Sequence, residues 1–179
     1  IAKRAGWLYL DTGALYRAAT WLAIRETIDD AHSLVEALQK YPIVFKTDPD
    51  NPITLCGGVD VSTAIRTPEV TSAVSRISAW PEVRQSLLAL QRRIIESAKN
   101  GIVVEGRDIG TVVAPDADLK VFLYADLQAR TVRREAEEIN ADKPADVAQS
   151  LSSRDLLDST RKISPLRPAD DALELDSTE

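Results

Sequence analysis

The sequence predicts an α/β fold: a parallel sheet flanked by helices and interrupted by a small antiparallel β insertion. Three observations carry that expectation. Short apolar runs alternate with helical patterns along most of the chain. One stretch, from Tyr41 to Thr67, has a different texture, rich in Pro, Gly, Asp and β-branched residues. The length, 179 residues with 44% hydrophobic and 28% charged side chains, suits one domain with an insertion and a real core.

The elements follow in order. WLYLD reads as a short buried strand, then a tight turn at Asp11-Thr12-Gly13 and a helix from about Ala14 to Arg25. Leu15, Ala18, Ala19 and Leu22 recur there at helical spacing. A second helix is expected from Ala31 to Lys40, with Asp29 or Asp30 near its cap. The segment YPIVFKTDPDNPITLCGGVDVSTAIRT predicts short antiparallel strands joined by turns. Helical texture returns in PEVTSAVSRISAW and in PEVRQSLLALQRRIIESAKNG. The first Pro of the latter suits an N1 position, and Gly101 suits a C-terminal stop. GIVVEGRD and LKVFLYA read as strands, DLQARTVRREAEEIN as a charged helix broken by ADKP, and VAQSLSSRDLLDSTRKI as a further helix. ALELDST reads as one more buried strand.

Composition narrows the function. A single cysteine, Cys56, excludes an internal disulfide, and one histidine, His32, distant from it in sequence, argues against a zinc site. No metal ligands are assigned. The net charge of −6 and a pI near 4.9 give no reason to expect affinity for a nucleic-acid backbone. No run has the length of a membrane span and no leader-like stretch precedes the first strand, so a cytoplasmic setting is the expectation. Arg outnumbers Lys. Composition alone can account for that ratio; position must decide whether the planar forks grip phosphate.

Ligands of an open parallel sheet sit at the carboxyl ends of its strands. Three polar clusters fall at or beyond such ends: Asp11-Thr12-Gly13 with Arg17, the EGRD run from Glu105 to Asp108, and the helix after LKVFLYA. A fourth is the helical face of RDLLDSTR, where Arg154, Asp158 and Arg161 are spaced i, i+4 and i+7 and share one side. Taken singly, each is also what a solvated helix or a polar turn would show.

Their joint order is more specific. DTGALYR, a β-rich insertion ending in IRTPEV, AVSRISAWPEVR, EGRDIGT, a multi-arginine helix and RDLLDSTR together resemble bacterial cytidylate kinase, a P-loop nucleoside monophosphate kinase family. The resemblance covers essentially the whole chain. It implies a P-loop NTPase-type three-layer fold with a parallel central sheet, a small antiparallel nucleotide-binding insertion and a helical lid. The implied domains are a core of 1–40 and 101–179, with a lid at about 130–154, and a CMP-binding insertion with its helices at 41–100. The implied reaction moves the γ-phosphate of ATP, with Mg²⁺, to CMP or dCMP. The implied partners are these small molecules alone, with neither nucleic acid nor membrane, and a monomer is favoured.

The resemblance also implies residue roles. Ser75, Arg84 and Asp108 match base-reading positions: a carboxylate and a hydroxyl accept from the cytosine amino group while an arginine donates to its acceptors. Uracil reverses that pattern and would leave buried polar groups unpaired. Absent the family match, Ser75 reads as a mid-helix serine facing solvent and Arg84 as a surface charge. Arg17, Arg107 and Arg161 match the phosphate grip. Arg154 and Asp158 match positions near the sugar hydroxyls, and Thr12 stands where the family has a small hydroxyl residue near the base. Arg130, Arg133 and Arg134 lie in the implied lid, where closing arginines would stabilise charge on the transferring oxygens, with Arg161, as the catalytic set. The same three could instead pair with Glu135, Glu137 and Glu138 on a helix surface. In EGRDIGT, Arg107 is implied at the phosphate and Asp108 at the base. Glu105 has two open roles, orienting Arg107 or meeting Mg²⁺ through water.

The family's G-x-x-x-x-G-K-[ST] loop is not among these residues, since none of the seven glycines precedes a Lys. The resemblance places that loop just upstream of IAKRAGWLYLD and a final helix after LDSTE, and implies a longer stretch between Arg134 and Arg154. It thus implies a cytidylate kinase represented incompletely, with no residue here assignable to the ATP phosphates. Two other readings stand beside it: a P-loop kinase with a different acceptor, and a nucleotide-binding module without catalysis.

Overall fold

A computed structural model of the chain describes residues 1–137, 144–161 and 163–179; for Glu135, Glu137, residues 144–147, Ser150 and Arg154 the backbone alone is described. The expected lid therefore falls partly, and Glu138 wholly, outside the described residues. The chain divides into two compact units, Ile1–Gly106 and Arg107–Glu179.

In the first unit, a four-residue helix α1 (Ala2–Ala5) leads into β1 (Leu8–Asp11), α2 (Thr12–Arg25) and α3 (Ala31–Lys40). Strands β2 (Ile43–Lys46), β3 (Ile53–Cys56) and β4 (Val59–Asp60) form the antiparallel sheet expected of the insertion, in the order β2-β3-β4. Helices α4 (Pro68–Ile77) and α5 (Pro81–Ser97) each start with Pro at N1 and lead to β5 (Ile102–Glu105), which pairs in parallel with β1. The core lies where α2 meets the sheets and the other helices. Leu15, Ala18, Ala19 and Leu22, the helical stripe read from sequence, are wholly buried, together with Leu10, Leu34 and Cys56.

Two local expectations in this unit are corrected. Asp11-Thr12-Gly13 is not a separate turn. Asp11 has extended dihedrals (φ −88°, ψ 100°) and caps α2, its Oδ1 accepting from the Ala14 amide at 3.0 Å. That capping bond satisfies one of the amides a helix start leaves without a partner, so Thr12 and Gly13 become the first helical residues. Gly101 does not end α5 either; the helix stops at Ser97. Gly101 sits at φ 124°, and a Cβ there would lie 2.9 Å from the Trp7 ring. Its glycine is required because an indole packs on the backbone as it enters β5.

In the second unit, the strand expected to run through Asp108 has already ended at Glu105. The Asp108 carbonyl instead accepts from the Val112 and Val113 amides at 2.9 and 3.3 Å, winding Ile109–Val113 into a wide π-type turn. Next come β6 (Val121–Tyr124), α6 (Leu127–Glu137), α7 (Pro144–Thr160) and β7 (Leu173–Asp176). β6 and β7 pair in parallel, and α6 packs on α7. Both strands form where the apolar runs predict, yet Val121, Leu123, Leu173 and Leu175 are exposed. Buried parallel strands need neighbours on both faces, and a two-stranded pair supplies few.

Among the described residues, no helix is long and apolar enough to cross a membrane.

Candidate active site

Most of the predicted residues fall into two groups, one in each unit. In the first, Asp11 and Glu105 stand opposite each other at the ends of the parallel β1–β5 pair. Thr12 Oγ1 donates to the Glu105 carbonyl at 2.8 Å, tying the start of α2 to the end of β5. Asp11 uses one oxygen to cap α2 and the other to pair with Arg66 at 2.9 Å. Tyr9, on the same strand, has its hydroxyl pushed well above the usual range, first by burial and then by the nearby Glu105 carboxylate.

Arg17 and Arg84 are buried, each against a named partner. Arg17 Nη1 donates to the Ile65 carbonyl at 3.1 Å and to Thr71 Oγ1 at 2.8 Å, which anchors it between α2 and α4. Arg84 Nη1 donates to the Ser78 carbonyl at 3.0 Å, and its guanidinium lies 5.2 Å from the centre of the Tyr16 ring. Neither is the surface charge that its helix alone would suggest. Ser75 lies one turn beyond Thr71 on α4. It is half-buried, and its carbonyl accepts from Ser78 Oγ at 3.1 Å. Three predicted residues, Arg17, Ser75 and Arg84, thus gather where α2 meets α4 and α5.

The second cluster is an ion-pair network. Arg107 Nη1 donates to Asp155 Oδ1 at 2.7 Å and lies 3.5 Å from Asp158 Oδ2. Asp155 Oδ2 accepts from Arg130 Nη2 at 2.5 Å. Asp158 Oδ1 faces Arg161 Nη1 at 3.2 Å, and Arg161 Nη2 donates to the Ser164 carbonyl at 3.0 Å. Asp108 and Asp158 are buried. Arg133 points elsewhere, to the Ser177 and Thr178 carbonyls after β7. Arg134 is half-buried on α6. Arg154 lies on α7, but its side chain is outside the description.

Three partners escaped the sequence reading. Arg66 lies within the quoted IRTPEV, and Thr71 one helical turn before Ser75. Asp155 stands three residues before Asp158, a spacing that shares a helix face. Only Asp155 carried such a sequence signal, and the i, i+4, i+7 stripe drawn through Arg154 passed beside it.

Among the described residues, no three His, Cys, Asp or Glu side chains are grouped to hold a metal ion. A Mg²⁺ that bridges nucleotide phosphates takes most of its ligands from phosphate and water. That donor set asks for no carboxylate cage, and no residue here is assigned to the ion.

The mixed α/β fold, with parallel strand pairs, a small antiparallel sheet and buried arginines, is that of a P-loop nucleoside monophosphate kinase. Residues 1–179 match the cytidylate kinase family, and the chain belongs to it. The cytidylate kinase of Streptomyces avermitilis is 50% identical over 181 residues, covering 100% of this chain and 78% of that protein. Those of Streptococcus sanguinis and Lactococcus lactis subsp. lactis are each 47% identical, covering 99% of this chain and 81% of theirs.

Proposed function

We infer that the protein is a cytidylate kinase that transfers the γ-phosphate of ATP to CMP or dCMP, giving CDP or dCDP. The observation that carries this reading is the family match over all 179 residues, with relatives at 47–50% identity across nearly the whole chain. The site chemistry agrees with it. We assign Ser75, Arg84 and Asp108 to the cytosine edge. Burial of Arg84 and Asp108 supports this, because an unmatched base would leave desolvated groups unpaired. Arg17, Arg107 and Arg161 are assigned to the substrate phosphate, Arg154 and Asp158 to the sugar hydroxyls, and Thr12 to the base end. Arg130, Arg133 and Arg134 are assigned with Arg161 to the transferring phosphoryl group. The attacking CMP phosphate oxygen is already an anion at neutral pH, so the chain must position and neutralise charge rather than remove a proton.

The functional subdivision that goes with this reading is a core of 1–40 and 101–179 and a CMP-binding insertion of 41–100. Mg²⁺ accompanies ATP, and the protein acts as a cytoplasmic monomer on small molecules.

The test is turnover of CMP, dCMP, UMP and AMP by the full-length protein with ATP. CMP or dCMP should exceed UMP in kcat/KM by about 100-fold or more, because the donor and acceptor pattern is reversed on uracil. Preferred phosphorylation of AMP, or no transfer to CMP, would sink the assignment.

A further inference from the structure

Two of the arginines assigned to phosphate are held by a residue outside the assigned set. Asp155, on α7, spends its two oxygens on different partners, Oδ1 on Arg107 and Oδ2 on Arg130. Its side chain is 24% exposed, against 37% for Arg107 and 33% for Arg130. We propose that Asp155 is a positioning residue for phosphoryl transfer, fixing Arg107 and Arg130 by one nitrogen each so that their other donors face phosphate oxygens. The proposal rests on the reading of those two arginines as phosphate-directed.

The geometry of the guanidinium carries the argument. It is a planar fork with five donors, so anchoring one nitrogen narrows the directions in which the others can point. Among the described residues, Arg107 is engaged through Nη1, by Asp155 and the more distant Asp158, and its Nε and Nη2 edge is placed to take a bidentate acceptor. Arg130 is engaged through Nη2, and among the described residues its buried Nε has no hydrogen-bond partner. Buried donors are ordinarily satisfied. A donor left over beside an anchored nitrogen is what a ligand-completed fork would show.

A purely structural role accounts for less. Arg130 and Asp155 alone would pin α6 to α7. Recruiting Arg107 as well brings a second cation to the same carboxylate, which makes sense when a shared anionic ligand needs both forks at a fixed separation. Holding two long, rotamer-rich side chains in advance also removes ordering that binding would otherwise have to supply. Asp155 stays ionised in this role. Partial burial pushes its carboxyl up, but the bonds from Arg130 and Arg107 outweigh that and hold it below the ordinary range.

The experiment compares CMP phosphorylation, CMP binding and cytidine binding in the full-length protein and in Asp155→Asn, Asp155→Glu, Arg107→Ala and Arg130→Ala. Asp155→Asn should lower kcat/KM for CMP by about tenfold or more and weaken CMP binding. Cytidine, which lacks the phosphate, should bind as before, and Asp155→Glu should recover part of the loss. Unchanged kcat/KM in Asp155→Asn overturns the proposal. So do equal losses for CMP and cytidine, the mark of a residue that only supports the fold. If Asp155→Asn does not fold, Asp155→Glu decides in its place: CMP binding altered with cytidine binding kept upholds the role, and parallel changes overturn it. The arginine variants separate this inference from its parent. If Arg107→Ala and Arg130→Ala turn over CMP normally, the phosphate reading fails; if they lose CMP and Asp155→Asn does not, only the role of Asp155 fails.

Discussion

Cys56 shows how completely burial can set the chemistry of one residue. Its thiol is 0% exposed and donates to the Tyr41 carbonyl at 3.6 Å, and burial pushes its pKa up to about 11. The thiolate is the reactive form, so the folded protein should resist alkylation by iodoacetamide through pH 9. The denatured chain, whose thiol titrates near the usual value of about 8.5, should take up one equivalent at pH 8.5. Rapid native-state labelling at that pH would contradict the placement of Cys56. The linkage has a definite sign. A thiol held protonated in the folded state contributes its full stability below the unfolded pKa, and that contribution is lost as pH rises toward the folded value. The same logic, acting through polar partners, separates Arg17 and Arg84 from ordinary helix arginines: each is desolvated and held by carbonyls that no sequence pattern marks.

Elements were legible where one physical rule dominated. The apolar stripe of α2, an aspartate cap on α3 (Asp30 of the two candidates) and the N1 proline of α5 follow from helix geometry and satisfied backbone groups. The β2-β3-β4 insertion was legible from its turn residues. What escaped depends on contacts distant in sequence. The Thr71 bond to Arg17 spans 54 residues and the Asp155 bond to Arg107 spans 48, and no periodicity encodes either. ALELDST reads as a buried strand although Leu173 and Leu175 of β7 are exposed, because an apolar run reveals the strand but not its cover. Gly101 reads as a helix stop for the same reason, since the Trp7 ring that demands a glycine there lies in another segment. This last point is testable. Gly101→Ala places a methyl against Trp7 and forces a side chain into φ 124°, so it should destabilise the first unit by about 1–3 kcal/mol in urea unfolding. A neutral substitution would show that the ring does not pack there. Gly58→Ala is the comparison, with a left-handed φ of 82° but no atom within 4 Å of the added methyl; it isolates the backbone cost from the clash.

For the whole molecule, ligand binding and folding are one equilibrium. A chain of net charge −6 has no general attraction for a phosphorylated ligand, so on the proposed reading affinity for CMP comes from local arginines such as Arg107 and Arg161, which the structure holds against acidic partners. A ligand that binds only the folded state stabilises it by RT ln(1 + [L]/Kd), about 2.7 kcal/mol at 100 times Kd. For a chain of this size that corresponds to a rise in unfolding midpoint of roughly 5–10 °C. CMP should produce such a rise in the full-length protein, and cytidine a smaller one at equal concentration. Arg161→Ala then divides the effect. The substitution removes a guanidinium that faces Asp158 at 3.2 Å and donates to Ser164, so the midpoint without ligand should itself fall. The informative quantity is therefore the shift each ligand adds to the variant's own midpoint. If Arg161 serves the phosphate, the CMP shift should shrink toward that of cytidine while the cytidine shift is kept. Equal losses for both ligands would mean that Arg161 supports the site only by holding Asp158 and the turn at Ser164, and an undiminished CMP shift would remove it from the phosphate grip.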